Sequence, residues 1–336
     1  LYRRAHEIGN VHVAAQDYPN RPAELWRAAR RLRALMIERD IQIVHVNGSA
    51  DHRLVMLARL GLGSRKPAVV FTKHNDQRIR PLSVFVRAAL GTDHVIAVCD
   101  FVRRRVDATP YRRIGVSTIP NGIDTHHYDS SRVKENTSMH ALVQAYRQAW
   151  SADQAMVFGS QAGTDDYKGW MDLVHAVASL PEDLRTRVRI ALAGALPTDR
   201  QREEVRQAGM ADQVFFTGPL DDVRPFLAAI DVGFVLSWRV ETISFACREM
   251  MSMGVPVVVS DHGGLPENIA SGTDGWIVPQ RDIAAIARCV QQIVDAPQTV
   301  AQIGQAARSR AQNTFGIDRF VSATEAVYQK LVTGKR

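Results

Sequence analysis

From residue 41 onward the chain repeats one pattern: a short apolar run ending at a polar or glycine-containing loop, then a stretch with helical spacing. The runs of the first half are "IQIVHV" (41–46), "AVVFT" (68–72), "HVIAV" (94–98) and "VSTIP" (116–120). Those of the second are "AMVFG" (155–159), "VRIALAG" (188–194), "VFFTG" (214–218), "VGFVLS" (232–237), "PVVVS" (256–260) and "GWIVP" (275–279). Between them stand helical patterns. Residues 23–40 place Leu25, Ala28, Ala29, Leu32 and Leu35 on one face, and 282–296 do so with Ile283, Ile286, Val290 and Ile293. Apolar strands alternating with helices argue for parallel sheets covered on both faces. A polar, irregular stretch over 125–137 and a helix over 138–150 separate the two series, which predicts two doubly wound domains in tandem. Ligands of such sheets bind beyond the carboxyl ends of the strands, here in the cleft between the domains.

Composition narrows the setting. No apolar run reaches eighteen residues, so no membrane-spanning helix is predicted, and no signal-peptide pattern is seen. Cys99, Cys247 and Cys289 lie far apart in apolar surroundings, which predicts reduced, buried thiols in a cytosolic protein. The net charge of +7 is uneven: residues 1–130 carry 21 Lys and Arg against 12 Asp and Glu, and the remainder is slightly acidic. A basic half attracts phosphates on lipid, nucleic acid or substrate, although a solvated basic surface explains it equally simply. No recognition motif or interleaved aromatics support a nucleic-acid partner.

The candidate chemistry gathers where strands end. In "ETISFACREMMSMGVPVVVSDHGGLPE" (241–267), Glu241 follows a strand and Glu249 lies inside a helix expected to start near Ser244. The N–H groups of Thr242, Ile243, Ser244 and Phe245 would then face the crevice as an anion site. A carboxylate at Glu249 suits a pair of hydroxyls. Taken alone, the pair reads as well as a helix cap at Glu241 and an arginine partner at Glu249. Lys168 follows the strand over 155–159 in "DDYKGW", where Asp165 and Asp166 read as turn formers rather than metal ligands. In the first half, Lys73 and His74 end one strand and Asn47, Gly48 and Ser49 follow another, with Asn121 in the turn "PNG". The plainer reading of His74 is a partly buried structural histidine.

The combination E-x7-E, then M-x-x-G-V-P-V-V-V-S-D-x-G-G-x-x-E, resembles the retaining glycosyltransferases of family 4. "VIAVCDFVRRRV", "IPNGIDTHHY", "YKGWMDLVHAV", "VFFTGPLDDVRPFLAAIDVGFVLS" and "GTDGWIVPQRD" match that family in order, over about residues 41–336. The resemblance implies the GT-B fold, two Rossmann-like domains facing across a cleft. The implied division is an acceptor-side domain over 1–137 and a nucleotide-sugar domain over 138–316, with a helix over about 317–336 packing back on the first. It further implies that Glu241 and His74 serve the reaction at the donor sugar and that Glu249 holds the nucleotide ribose. Lys168 would hold the diphosphate together with the N–H groups of 242–245, while Asn47, Gly48, Ser49 and Lys73 would line the acceptor side. No metal or other cofactor is implied. The implied product class is a bacterial surface glycan such as lipopolysaccharide, built on a membrane-linked acceptor. The enzyme would then work peripherally at the cytoplasmic face of the inner membrane, its basic first half on anionic lipid. "FVRRRVDATPYRR" (101–113) supplies five arginines for that contact.

The chain also departs from the family. Ser160 and Gln161 stand where an arginine beside the diphosphate is common, so part of the phosphate clamp is either missing or supplied by another residue, with Arg239 and Arg248 the candidates. Thr242 and Ser244 replace glycines, and "AGALPTD" (193–199) lacks one. The chain opens on Leu1, and "LYRRAHEIG" reads as the middle of an element. The family's opening strand and glycine-rich loop are therefore expected to lie outside it, leaving a sheet edge to be covered. An inactive sugar-nucleotide-binding module and a sugar-nucleotide epimerase of the same fold are the alternatives.

Overall fold

The computed structural model describes residues 14–77 and 81–334; the expectation for residues 1–9 lies outside them. Among the described residues all ten predicted strands form. They are β1 (Ile43–Val46), β2 (Ala68–Lys73), β3 (His94–Ala97), β4 (Gly115–Thr118), β5 (Met156–Ser160), β6 (Val188–Ala193), β7 (Val214–Gly218), β8 (Val232–Val235), β9 (Val257–Ser260) and β10 (Gly275–Val278). They make two parallel sheets, ordered β1-β2-β3-β4 and β10-β9-β8-β5-β6-β7. The first sheet runs in one direction. The second reverses at β5, which pairs β6 on one side and β8 on the other. Such a reversal marks the crevice beyond the carboxyl ends of the strands where ligands of these sheets bind.

Period-two alternation assigns the two faces of the first sheet. Val69, Phe71, Val95 and Ala97 pack with Leu54, Val55 and Val102 on helices Ser49–Arg59 and Asp100–Asp107. Val70 and Ile96, between them in sequence, face the other way and pack with Ile119 and Val327. Val327 belongs to the helix Ile317–Thr333, so the end of the chain covers the first sheet, and the Tyr328 hydroxyl bonds His45 of β1. The chain thus passes twice between the domains, and the two passages are joined: Ile123 N–H donates to Phe315 O at 2.8 Å, and Ile317 N–H to Ile123 O at 2.9 Å.

The stretch expected to be irregular over 125–137 contains a helix, Ser130–Glu135. Asp129 caps it, and Val133 is buried in the core of the second sheet. Its polar residues face solvent, which hides a single helical turn from a hydrophobic pattern. Cys99, Cys247 and Cys289 are free and buried. Among the described residues no helix is long and apolar enough to cross a membrane.

Candidate active site

The reversal in the second sheet places the loop after β5 beside the loop after β8. Trp238 N–H donates to Tyr167 O at 3.0 Å. Gly169 lets them close, because at φ +71° a Cβ there would lie 2.1 Å from the Leu236 carbonyl oxygen. Lys168 and Glu241, 73 residues apart, therefore meet: Lys168 Nζ donates to Glu241 Oε2 at 3.1 Å. The same oxygen accepts from Ser237 Oγ at 3.1 Å, and Glu241 is buried. The residue before it, Val240, has φ +52°, an uncommon conformation for a β-branched residue that aims Glu241 inward at a cost in backbone strain.

The helix Phe245–Ser252 starts where the sequence predicts. Ser244 Oγ accepts from Cys247 N–H at 3.2 Å, so the cap is Ser244 and not Glu241. The N–H groups of Thr242, Ile243, Ser244 and Phe245 have no acceptor among the described residues. Glu249, one turn further on, pairs with no arginine among the described residues. Its carboxylate accepts from the Gln161 amide, and the Tyr128 hydroxyl lies near it. Burial raises its pKa and the Tyr128 hydroxyl opposes the rise. Glu249 and Gln161 border a cavity of about 350 Å³ whose other walls, Ala193, Leu220, Val223 and Phe245, are largely apolar.

Arg248 does not replace the missing phosphate-side arginine. It is buried, donates to Asn268 Oδ1 at 2.8 Å and to Asn121 O at 2.6 Å, and lies over the Phe315 ring. The Asn121 carbonyl is thus part of the seam between domains. Arg239 is exposed and forms no hydrogen bond or ion pair among the described residues. Asp166 binds Arg200 and Gln201.

The first domain contributes a different kind of surface. His74 Nε2 bonds Asn47 Oδ1 at 3.0 Å, and its carbonyl accepts from Thr242 Oγ1 at 2.7 Å across the cleft. Burial, and then Lys73, lower the His74 pKa, so the ring is neutral at pH 7. Ile243 packs against the core of the first domain. The N–H groups of Asn47 and Gly48 are already taken by the Asp51 carboxylate at 2.7 and 2.9 Å, Ser49 Oγ accepts from Arg87, and Lys73 Nζ is held by Asn75 and Gln77. Sequence reasoning missed Ser237, Tyr128 and Asp51. Tyr128 closes the quoted "IPNGIDTHHY", yet only the fold shows that it reaches Glu249.

Comparison with known proteins agrees with this geometry. Residues 2–127 match the family model "Glycosyltransferase Family 4" and residues 153–296 match "Glycosyl transferases group 1". A D-inositol 3-phosphate glycosyltransferase of Streptomyces griseus is 32% identical over 49% of this chain and 37% of its own length. A GDP-mannose-dependent alpha-(1-6)-phosphatidylinositol monomannoside mannosyltransferase of Mycobacterium tuberculosis is 26% identical over 83% of this chain and 73% of its own. The chain spans 37–44% of the length of the first curated relatives it matches. Among solved structures, a glycosyltransferase of Rickettsia africae superposes with a TM-score of 0.86 at 16% identity, covering 98% of this chain and 87% of its own. Anabaena Alr3699/HepE in complex with UDP superposes with 0.77 at 18% identity, covering 97% and 89%. Two facing parallel-sheet domains, the order of the matched segments and these relatives lead to one conclusion: the chain has the GT-B fold and belongs to glycosyltransferase family 4.

Proposed function

We propose that the protein is a retaining glycosyltransferase that moves a hexosyl or related sugar from a nucleotide-sugar donor to a membrane-linked glycan or lipid. The observation that carries this reading is the convergence of Lys168, Glu241 and Glu249 on one helix mouth at the reversal of the sheet. Breaking a sugar–phosphate bond builds negative charge on the departing diphosphate. Lys168 and the open N–H groups of 242–245 would stabilise it without reorganising, so no metal or other cofactor is called for. An incoming diphosphate competes with Glu241 for Lys168 and frees a carboxylate oxygen for donor-sugar hydroxyls. A carboxylate that keeps its Ser237 bond and is occupied by the sugar's hydroxyls is a poor nucleophile. This favours front-face transfer, in which the leaving phosphate accepts the acceptor's proton, over a covalent intermediate on Glu241.

Glu249 receives the Gln161 amide, and a carboxylate has about four acceptor positions, which leaves room for both ribose hydroxyls. The adjoining apolar walls would take the base. In this reading residues 1–137 form the acceptor side and 138–316 the donor side, with the last helix returning to the first. His74 reaches the donor sugar, and Asn47, Gly48, Ser49 and Lys73 border the acceptor. The acceptor class is supported by relatives that include the phosphatidylinositol monomannoside enzyme and a lipopolysaccharide core biosynthesis mannosyltransferase of Rhizobium meliloti. A peripheral position on the cytoplasmic face of the inner membrane fits the basic first half. There Arg112 and Arg113 are exposed beside the helix Pro81–Leu90, which presents Phe85 and Leu90 to solvent.

A thermal-shift panel of UDP, GDP, ADP and their sugar conjugates tests the donor site. One nucleotide family should stabilise the wild type and lose that effect in Glu249→Ala. Equal stabilisation of both proteins would remove the ribose from Glu249, and no stabilisation by any would remove the donor reading from this chain.

A further inference from the structure

We infer that Glu267 is a positioning residue that holds the cleft closed over the donor site by capping a helix of the opposite domain. The inference rests on the donor reading of Glu241 and Glu249. Glu267 lies in a short turn, Leu265–Asn268, of the second domain. Its two oxygens accept from the N–H groups of Asp100 at 2.7 Å and Phe101 at 2.6 Å, the first two residues of the helix Asp100–Asp107 in the first domain. The N-cap residue of that helix, Cys99, offers the N–H groups of Phe101 and Val102 only a thiol sulfur. Its thiol is a weak acceptor, and burial keeps it protonated, its pKa pushed up to about 11. The first domain thus gives this positive helix end only a weak, uncharged cap, and the second supplies the anion.

The same segment carries the donor loop. A Cβ at Gly264 would lie 1.9 Å from the Thr242 carbonyl oxygen and 3.0 Å from Cys99 Sγ, so this glycine is threaded between the residue following Glu241 and the opposite domain. Asn268, next to Glu267, is buried and accepts from Arg248, the neighbour of Glu249, which in turn grips Asn121 between the domains. Thr242 adds its bond to the His74 carbonyl. Four cross-domain bonds therefore start from three residues: Thr242 beside Glu241, Arg248 beside Glu249, and Glu267 in the segment of Gly264. Opening the cleft would break the Glu267 contact and release the loop that aims Glu241. The Asp100 end of the contact is open to solvent, so water can replace it and the latch is reversible.

The test uses Glu267→Ala, Cys99→Ser and the double variant. Three readouts are taken: thermal midpoint, small-angle scattering with and without the nucleotides above, and the kcat and KM for donor. Glu267→Ala should lower the midpoint by about 2–4 °C and shift the scattering toward an opened pair of domains. It should also change kcat and KM together, lowering kcat/KM about 10- to 100-fold. Adding Cys99→Ser gives the helix a hydroxyl cap of its own. The double variant should regain the midpoint while keeping the opened scattering and the kinetic defect. Recovery of all three readouts would reduce Glu267 to a helix cap and overturn the inference, as would unchanged scattering in Glu267→Ala. If the wild type binds no nucleotide, the donor reading fails, and scattering still decides whether Glu267 closes the cleft.

Discussion

The two sheets are built from the same strand–helix unit, yet they present opposite surfaces to the cleft. In the second sheet the order reverses at β5, and the loops on either side hold an ammonium, two carboxylates and four N–H groups without acceptors among the described residues. In the first sheet the order never reverses among the described residues, and the strand ends satisfy themselves. Asp51 takes the N–H groups of Asn47 and Gly48, and Lys73 is folded onto its own loop. The same fold unit therefore leaves helix N–H groups open where its strand order reverses and closes its strand ends where a neighbouring side chain pairs them.

The comparison is broken most directly by removing charge from each side. Glu241→Gln should lower turnover about 10²- to 10³-fold, measured by release of nucleotide diphosphate with the thermal midpoint as a control. A loss of less than tenfold would deny the second sheet its central role. The next effect in size concerns pH. If Glu249 holds the ribose, binding needs it ionised, and its pKa is raised by burial, so affinity should fall on acidification before an ordinary glutamate would protonate. The Tyr128 hydroxyl lowers that pKa, so Tyr128→Phe should move the midpoint of the loss to higher pH. A shift downward would contradict the geometry. Linkage has the same sign: the folded protein holds this proton more tightly than the unfolded chain. Its stability therefore declines as pH rises through the unfolded and then the folded pKa, and Glu249→Gln should abolish that decline. The smallest effect belongs to the first sheet. Asp51→Ala uncaps a helix and should cost about 1 kcal/mol in urea unfolding while leaving kcat within a few-fold. A fall as large as that of Glu241→Gln would show that the strand ends of the first sheet are not inert.

How much of this was legible in the chain depends on the range of the interaction. The strands over 68–72 and 214–218 and the cap at Ser244 are local matters of burial and helix-end chemistry, and they stand where expected. The convergence of Lys168 and Glu241 follows from strand order, which pairs residues about 70 positions apart and leaves no periodic trace. Arg248 shows the limit most plainly. Beside a glutamate and near a helix mouth, an arginine suggests a phosphate ligand, and only its burial against Asn268 and Phe315 reveals a structural part. Gln161 was marked as a departure from the family, but that its amide would bind Glu249 depended on a contact 88 residues away.

The return of the last helix to the first sheet also bears on how the protein is made. Val70, Ile96 and Ile119 are complete early in synthesis, but the residue that covers them, Val327, emerges about two hundred residues later. At about 5–20 residues per second this leaves one face of the first sheet uncovered for roughly ten to forty seconds. During that interval the nascent first domain is an apolar surface awaiting its own C-terminus. Loss of the final helix should therefore be felt first as aggregation of the N-terminal half, far along the chain from the cut.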